Sequence, residues 1–344
     1  YALNELPAVR PKALYTDRPL PRLRGTMSPV VFKPEDIQEL ARWGANGIRW
    51  QLVWPGDYAQ KPPAEYDAWL AQKLDELDKV LAECYKNGIM VVVDLHSPPG
   101  GLVGISSSKE NQQKFLDIWS GIAKRYKDNP AVWGYDICNE PEFRATAADV
   151  LDWPSLAKLA IKRIRAIDPE VPIIYETDGG QAPPSWFSVI NTIPEKNIIY
   201  SFHMYKPVMF THQLSKADSY NKYPGSINGV FWDKSIMRLA MKPVRDFQKE
   251  TGARIYVGEF SAVRWAPGAA HYIKDCIDLF EEYNWDWTYH TYRDICYDGW
   301  SVEQGSDFDD HSIKQTTDRK QILLGAFSLN KKEKTSPAPV KESK

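Results

Sequence analysis

The chain has 344 residues, 43% of them hydrophobic, and its 43 basic against 45 acidic residues leave a formal net charge of -2. A balance so near zero argues against nucleic acid or another polyanion as partner, and the length suits one large α/β barrel or two ordinary domains. No apolar stretch approaches the length of a membrane span.

Along the chain, short apolar runs alternate with longer amphipathic stretches. A Pro-rich start, Leu6 to Pro21, leads to a first strand candidate at Arg22 to Met27. The helix predicted over Lys33 to Gly44 has Pro34 near its first turn, and a strand follows at Gly47 to Trp54. Leu70, Leu74, Leu77 and Leu81 recur at helical spacing within Asp67 to Lys86, which Asn87-Gly88 stops. Ile89 to His96 is almost continuously apolar, as in a strand covered on both faces, and Pro98-Pro99-Gly100-Gly101 reads as a loop. Helix Glu110 to Tyr126, strand Val132 to Asn139, helix Trp153 to Ile167 and strand Ile173 to Thr177 come next. Strand Ile198 to Tyr205 opens a long loop, Met204 to Tyr223, of the length that often carries function. Helix Ile236 to Glu250, strand Arg254 to Phe260, helix Tyr272 to Tyr283, strand Trp285 to Tyr292 and helix Arg319 to Leu329 complete the series.

Eight strand candidates, helices following them, no linker and no Gly-x-Gly-x-x-Gly favour a single (β/α)8 TIM barrel over a doubly wound sheet with a second domain. Residues 1–330 are expected to form it, with the Pro-rich start covering its floor, and residues 331–344 to be a disordered, solvated tail. Cys84, Cys138, Cys276 and Cys296 lack the spacing of a zinc site and are expected to be mostly free, although a pairing of Cys276 with Cys296 stays open.

In such a barrel the active site lies at the C-terminal ends of the strands. Polar residues predicted there are Arg49, His96, Asn139, Glu140, His203, Tyr205, Glu259 and His290. Each alone has an ordinary structural explanation, and their joint placement is what points to chemistry. Paired carboxylates cleave glycosidic bonds, and thirteen Trp and eighteen Tyr offer flat rings for sugars, although most are expected in the core. Trp54, Trp265 and Trp300 fall in loops beyond strands, where ligand-facing and rim-packing roles compete; Glu303 is expected on a sugar hydroxyl or in water.

Asn139-Glu140-Pro141 after the fourth strand, Glu259 closing the seventh, Arg49 on the second, Asp94-Leu95-His96 on the third and His203-x-Tyr205 on the sixth together resemble glycoside hydrolase family 5, the retaining cellulase-like (β/α)8 enzymes. The resemblance runs from about Arg24 to about Trp300. It implies Glu140 as acid/base and Glu259 as nucleophile. It also implies that Asn139 bonds the substituent beside the reacting carbon, His96 contacts the sugar, His203 lies beside the acid/base, Tyr205 donates to the nucleophile and Arg49 keeps that carboxylate ionised. One position departs from the family: Trp287-Thr288-Tyr289-His290 places His290 where a sugar-stacking Trp is usual, and Trp287 is expected to face the helices. Substrate-binding candidates are therefore Arg49, His96, Asn139, His203, Tyr205, His290, Trp265 and Trp300.

The expected activity is retaining hydrolysis of β-linked glycans by double displacement, without metal or other cofactor, on an oligo- or polysaccharide. An exo-acting enzyme on a terminal, possibly furanosidic sugar and a non-catalytic carbohydrate-binding relative are the competing readings. Metal-dependent hydrolases of this fold want a His-x-His pair on the first strand, where Arg24-Gly25-Thr26-Met27 stands. An enolase-like site wants carboxylates at three successive strand ends, and only Asp94 and Asp136 are available. No basic-then-apolar leader is present, as in a secreted enzyme stripped of its signal, and a secreted or periplasmic monomer is expected.

Overall fold

The structure, a computed structural model, describes residues 9–335 apart from 17–18, 29–30, 55–62, 143, 147, 216–219 and 294–296. Its strands in chain order are β1 (Arg24–Met27), β2 (Gly47–Gln51), β3 (Met90–Asp94), β4 (Val132–Asp136), β5 (Ile173–Glu176), β6 (Ile198–Met204), the hairpin β7 (Gly225–Ile227) and β8 (Val230–Trp232), then β9 (Arg254–Phe260) and β10 (Asp286–Tyr289). All but the hairpin pair in parallel and close a barrel in the order β1-β10-β9-β6-β5-β4-β3-β2. Every strand candidate is present. Several end two or three residues early; the apolar runs read longer than the strands because Leu52, Leu95, Ile137 and Cys138 stay buried beyond the last ladder pairs.

Around the barrel run α1 (Pro34–Trp43), α2 (Pro63–Asn87), α3 (Gly101–Ser107), α4 (Lys109–Tyr126), α5 (Trp153–Arg165), α6 (Val208–Thr211), α7 (Lys234–Ala240), α8 (Lys242–Thr251), α9 (Ala269–Tyr283) and α10 (Asp318–Thr335). Three connections differ from expectation. Gly100 sits at φ 74° and turns the Pro-Pro-Gly-Gly loop directly into α3. The helix predicted over Ile236 to Glu250 is two, broken at Met241, since Pro243 has no N–H for an interior helical bond and is tolerated in the first turn of α8. After β5 a short 3-10 turn, Pro184–Ser188, replaces an α-helix. Residues 331–335 continue α10, and 336–344 lie outside the described residues.

Side chains alternate along each strand, and the register sorts them into two cores. Leu23, Val92, Trp133, Ile174, Ile199 and Tyr256 form a small cluster inside the barrel. The opposite faces join the helices in a much larger cluster. Trp287 belongs there, donating to Glu281 at 2.9 Å and stacking on Phe327. Below, Trp133 and Arg254 donate to the carbonyls of Pro21 and Leu20, Thr16 N donates to Asn197, and Leu14 bridges Lys196, so the described part of the N-terminal segment runs under the strands' N-terminal ends. Cys84, Cys138 and Cys276 are buried free thiols, and Cys296 lies outside the described residues. No described helix is long and apolar enough to cross a membrane.

The first two strands approach closely because neither carries an inward side chain at the contact. A Cβ on Gly25 would stand 1.9 Å from the Gly47 carbonyl oxygen, which is backbone and cannot swing aside. Gly25→Ala is therefore expected to cost about 1–3 kcal/mol or more as an overpacked site, read as a lower midpoint in chemical denaturation; an unchanged midpoint would show that the two strands separate freely.

Candidate active site

The register that fills the barrel interior also decides what its mouth contains. Arg49 (β2), Asp94 (β3), Glu176 (β5) and His203 (β6) follow the alternation onto the inner face at the C-terminal end, and Asp136 (β4) joins them beyond a register shift in which Val91 pairs with Val132 but Val92 with Gly134. Glu259 reaches it by a register shift: Phe202 pairs with Val257 but His203 pairs with Glu259, leaving Gly258 unpaired. Val257 and Phe260 pack outward in the larger core. Without the extra residue, alternation would turn Glu259 toward the helices.

Arg49 is fully buried at 0% exposure, so it acts through its neighbours and does not touch a ligand. Its Nε donates to Asp136 at 2.9 Å, one terminal nitrogen donates to Glu259 Oε1 at 2.7 Å, and the other to Asn139 Oδ1 at 2.9 Å and Glu176 Oε1 at 3.0 Å, with Asp94 at 3.3 Å. A planar guanidinium with five N–H groups can serve so many acceptors, which a lysine cannot. Asp94 in turn holds His96 Nδ1 at 2.8 Å.

The Tyr205 hydroxyl donates to Glu259 Oε2 at 2.8 Å. His203 bridges carboxylates, Nδ1 to Glu140 Oε1 at 2.8 Å and Nε2 to Glu176 Oε1 at 3.1 Å. Glu140 itself has φ 43°, an unfavourable backbone for a residue with a Cβ, and its N–H donates to Glu176 Oε2 at 2.8 Å. An oxygen of Glu140 and one of Glu259 lie within 4.8 Å of each other. Both side chains open to the cleft, at 26% and 7% exposure.

The charges follow from these contacts. Burial by itself would raise the Glu259 pKa, but the fields of His203, His290, Arg49 and His96 reverse it and hold the carboxyl far below the usual range. Glu176 is likewise lowered against burial, by His203, Arg49 and the N–H of Glu140. Burial works against the His203 imidazolium, yet Glu176 and Glu259 raise it well above an ordinary histidine. Burial, then Glu259 and Glu140, keep the Tyr205 phenol protonated far above its normal value. Asp136 is pushed well upward by burial and by Glu176 despite its bond to Arg49.

A cleft of about 400 Å³ opens over this layer, lined by Glu140, Gln181, Tyr205, His212, Leu214, Glu259, His290, Tyr297 and Trp300. Cavities of about 490 Å³ under the barrel and about 590 Å³ beside Tyr175 and Trp186 are larger but lack the carboxylate pair, so chemistry and not size marks the site. Of the residues singled out in the sequence, Glu140, Glu259, Tyr205, His290 and Trp300 meet in the cleft, while Arg49, Asn139, His96 and His203 support them through the contacts above. Trp265 is turned aside, its indole donating to the Gln213 carbonyl at 2.6 Å and packing on Phe308. Trp54 is buried against Tyr66 and Trp69. Glu303 is buried on Lys320 and Arg293 rather than facing sugar or water. Glu176 is not among the residues the sequence marks; its only signal is a carboxylate ending the apolar run Ile173-Ile174-Tyr175. Gln181, Leu214 and Tyr297 carry none.

Two carboxylates this close on opposite sides of a (β/α)8 mouth, one ionised among cations, constitute the apparatus of a retaining glycoside hydrolase. The family model of the cellulases, glycosyl hydrolase family 5, matches residues 22–294. The chain is similar to endoglucanase C of Acetivibrio thermocellus, 26% identical over 284 residues, covering 73% of this chain and 80% of that protein. It is also similar to cellodextrinase A of Ruminococcus flavefaciens, 29% identical over 244 residues, with 67% and 69% covered. Among solved structures it shares its fold with a hyperthermophilic endo-β-1,4-glucanase, at a TM-score of 0.70 and 22% identity over 88% of this chain and 97% of that one. An endoglucanase of Thermotoga maritima gives 0.67 and 24%, over 88% and 96%. The chain belongs to glycosyl hydrolase family 5 and is a retaining hydrolase of β-linked glycans.

Two tests address the layer under the cleft. A Cβ on Gly258 would lie 2.9 Å from His203 Nε2 and 3.0 Å from Ser201 Oγ. Gly258→Ala should displace the imidazole and lower kcat/KM by on the order of a hundredfold, the penalty of a misplacement near 1 Å; parental kcat/KM would show that His203 tolerates the shift. Because its folded pKa is raised, His203 contributes stability in full below its unfolded value of about 6.5 and loses that contribution as pH rises through the folded value. Nitrogen NMR of the ring should show an imidazolium still present at neutral pH, and a neutral ring there would contradict the charge placement.

Proposed function

We propose that the chain cleaves β-linked glucan chains, with Glu259 as nucleophile and Glu140 as general acid and then base. The observation that carries this reading is the pair of carboxylate oxygens within 4.8 Å, the Glu259 side held ionised by Arg49 and Tyr205. Glu259 attacks the anomeric carbon as Glu140 gives its proton to the leaving oxygen, forming a glycosyl-enzyme ester; Glu140 then takes a proton from the water that hydrolyses the ester, with retention. Carboxyl groups about 5–5.5 Å apart suit direct attack, whereas inverting enzymes leave a wider gap for water.

Glucan is favoured by relatives named endoglucanase and cellodextrinase. These names favour neither an exo-acting furanosidase nor a non-catalytic binder. The leaving group departs on the Glu140 side, beside Gln181 in the cleft wall. A polymeric substrate cannot enter a cell, and a secreted or periplasmic monomer fits that reading.

Replacing each carboxylate separates the roles. Glu259→Ala should abolish nearly all turnover of both polysaccharide and aryl glycoside. Glu140→Ala should lose about 10²–10⁴-fold on polysaccharide, the usual size of general acid catalysis, yet keep much of its first step on a dinitrophenyl glycoside, which departs unaided. Equal losses on both substrates would remove Glu140 from the acid role, and proton NMR showing an α-anomer as first product would exclude retention.

A further inference from the structure

His290 stands where the family resemblance placed an indole platform, and its ring is engaged in a different way. Nδ1 lies 2.7 Å from the Tyr205 hydroxyl and 3.7 Å from Glu259 Oε2. The same hydroxyl is 2.8 Å from Glu259 Oε2. A phenol has one proton, and an ionised carboxylate can only accept. Once Glu259 is ionised, the hydroxyl proton goes to Glu259, and the second contact must be a donation from His290 Nδ1–H into the phenol oxygen. Packing and a backbone bond fix the ring in the orientation this donation needs. It stacks on Trp300 with centroids 5.5 Å apart and planes 17° apart, and its own backbone N–H donates to the Phe260 carbonyl at 3.1 Å. His212, edge-on to both Tyr205 and Trp300, is lowered to about 4 by burial and by the field of His290, and so adds no competing charge.

We infer that His290 is a positioning residue for the nucleophile: by donating from Nδ1 to Tyr205 it commits the only proton of that hydroxyl to Glu259. Were Nδ1 bare, it would compete with Glu259 for the phenol proton. Glu259 would then lose a hydrogen bond that fixes its second oxygen while Arg49 fixes the first. The chain thus spends an aromatic position over the cleavage site on aiming the nucleophile. Two consecutive hydrogen bonds polarise each other in a site of low dielectric, which strengthens both.

This inference rests on Glu259 being the nucleophile, and the experiment keeps the two claims apart. The probe is a dinitrophenyl 2-deoxy-2-fluoro-β-cellobioside. Glu259 oxygen bonds to the anomeric carbon, the bond to dinitrophenolate breaks, and that anion leaves without a proton, so labelling reads nucleophilic attack alone. In His290→Phe and His290→Gln, the maximal labelling rate should fall about tenfold, the worth of roughly one hydrogen bond in the transition state, with Ki unchanged. His290→Asn, which can present an amide N–H near the place of Nδ1–H, should recover most of the rate. In a Tyr205→Phe background, His290→Phe should cost nothing further. A loss confined to Ki, effects of His290→Phe and Tyr205→Phe that multiply, or an Asn variant as slow as the Phe variant would each overturn the role. Mapping the label on the parent protein distinguishes the failures: a label on another residue refutes the nucleophile, whereas a label on Glu259 that forms at the parental rate in His290→Phe refutes only His290.

Discussion

Everything at the mouth of this barrel is arranged around one buried cation. Arg49 lies on β2 and bonds side chains from or just beyond β4, β5 and β9, with Asp94 of β3 also in range. A guanidinium removed from water costs several kcal/mol unless its donors are satisfied, and the carboxylates around it would repel one another in its absence. Each therefore depends on the other. The arrangement contributes little net stability by this reasoning; what it fixes is position and charge, since a carboxylate aimed and ionised in the folded state needs no rearrangement when a sugar arrives.

Glu176 is the second organising group. It accepts from Arg49, from His203 and from the backbone N–H of Glu140. The same carboxylate thus sets the charge of the histidine beside Glu140 and holds the strained backbone that presents it. One side of the cleft is tied to Arg49 through Glu259 and the other through Glu176, so the spacing between Glu140 and Glu259 is set by a buried network. Above this network the wall is aromatic and polar together: Tyr205, His212, His290 and Trp300 pack edge and face in one group. Here His290 stands where the resemblance implies an indole.

Much of this was legible in the sequence. Eight strands and most helices could be read from apolar periodicity, and the two glutamates with Arg49, Asn139, His203 and Tyr205 stood out because polar groups at the ends of buried strands serve folding poorly. Other features were not legible, for identifiable reasons. Glu176 closes a four-residue strand with no accompanying motif, so nothing distinguished it from a solvated strand end. Trp265 and Trp300 occupy similar loops and read alike, yet one indole turns to Gln213 and the other faces His290; only the packing of distant loops separates them. The break at Met241 lay hidden in a continuous amphipathic pattern that continues through both helices.

The sequence by itself determined the barrel and which polar groups stand at its strand ends, because periodicity and residue chemistry are local properties. Only the tertiary structure decided which way those groups point. Glu259 faces the cleft because one residue, Gly258, is skipped where β9 meets β6. The proton on Tyr205 is directed by His290, eighty-five positions away in sequence. Facing and proton direction depend on registers and contacts between segments far apart in the chain, and no local pattern encodes them.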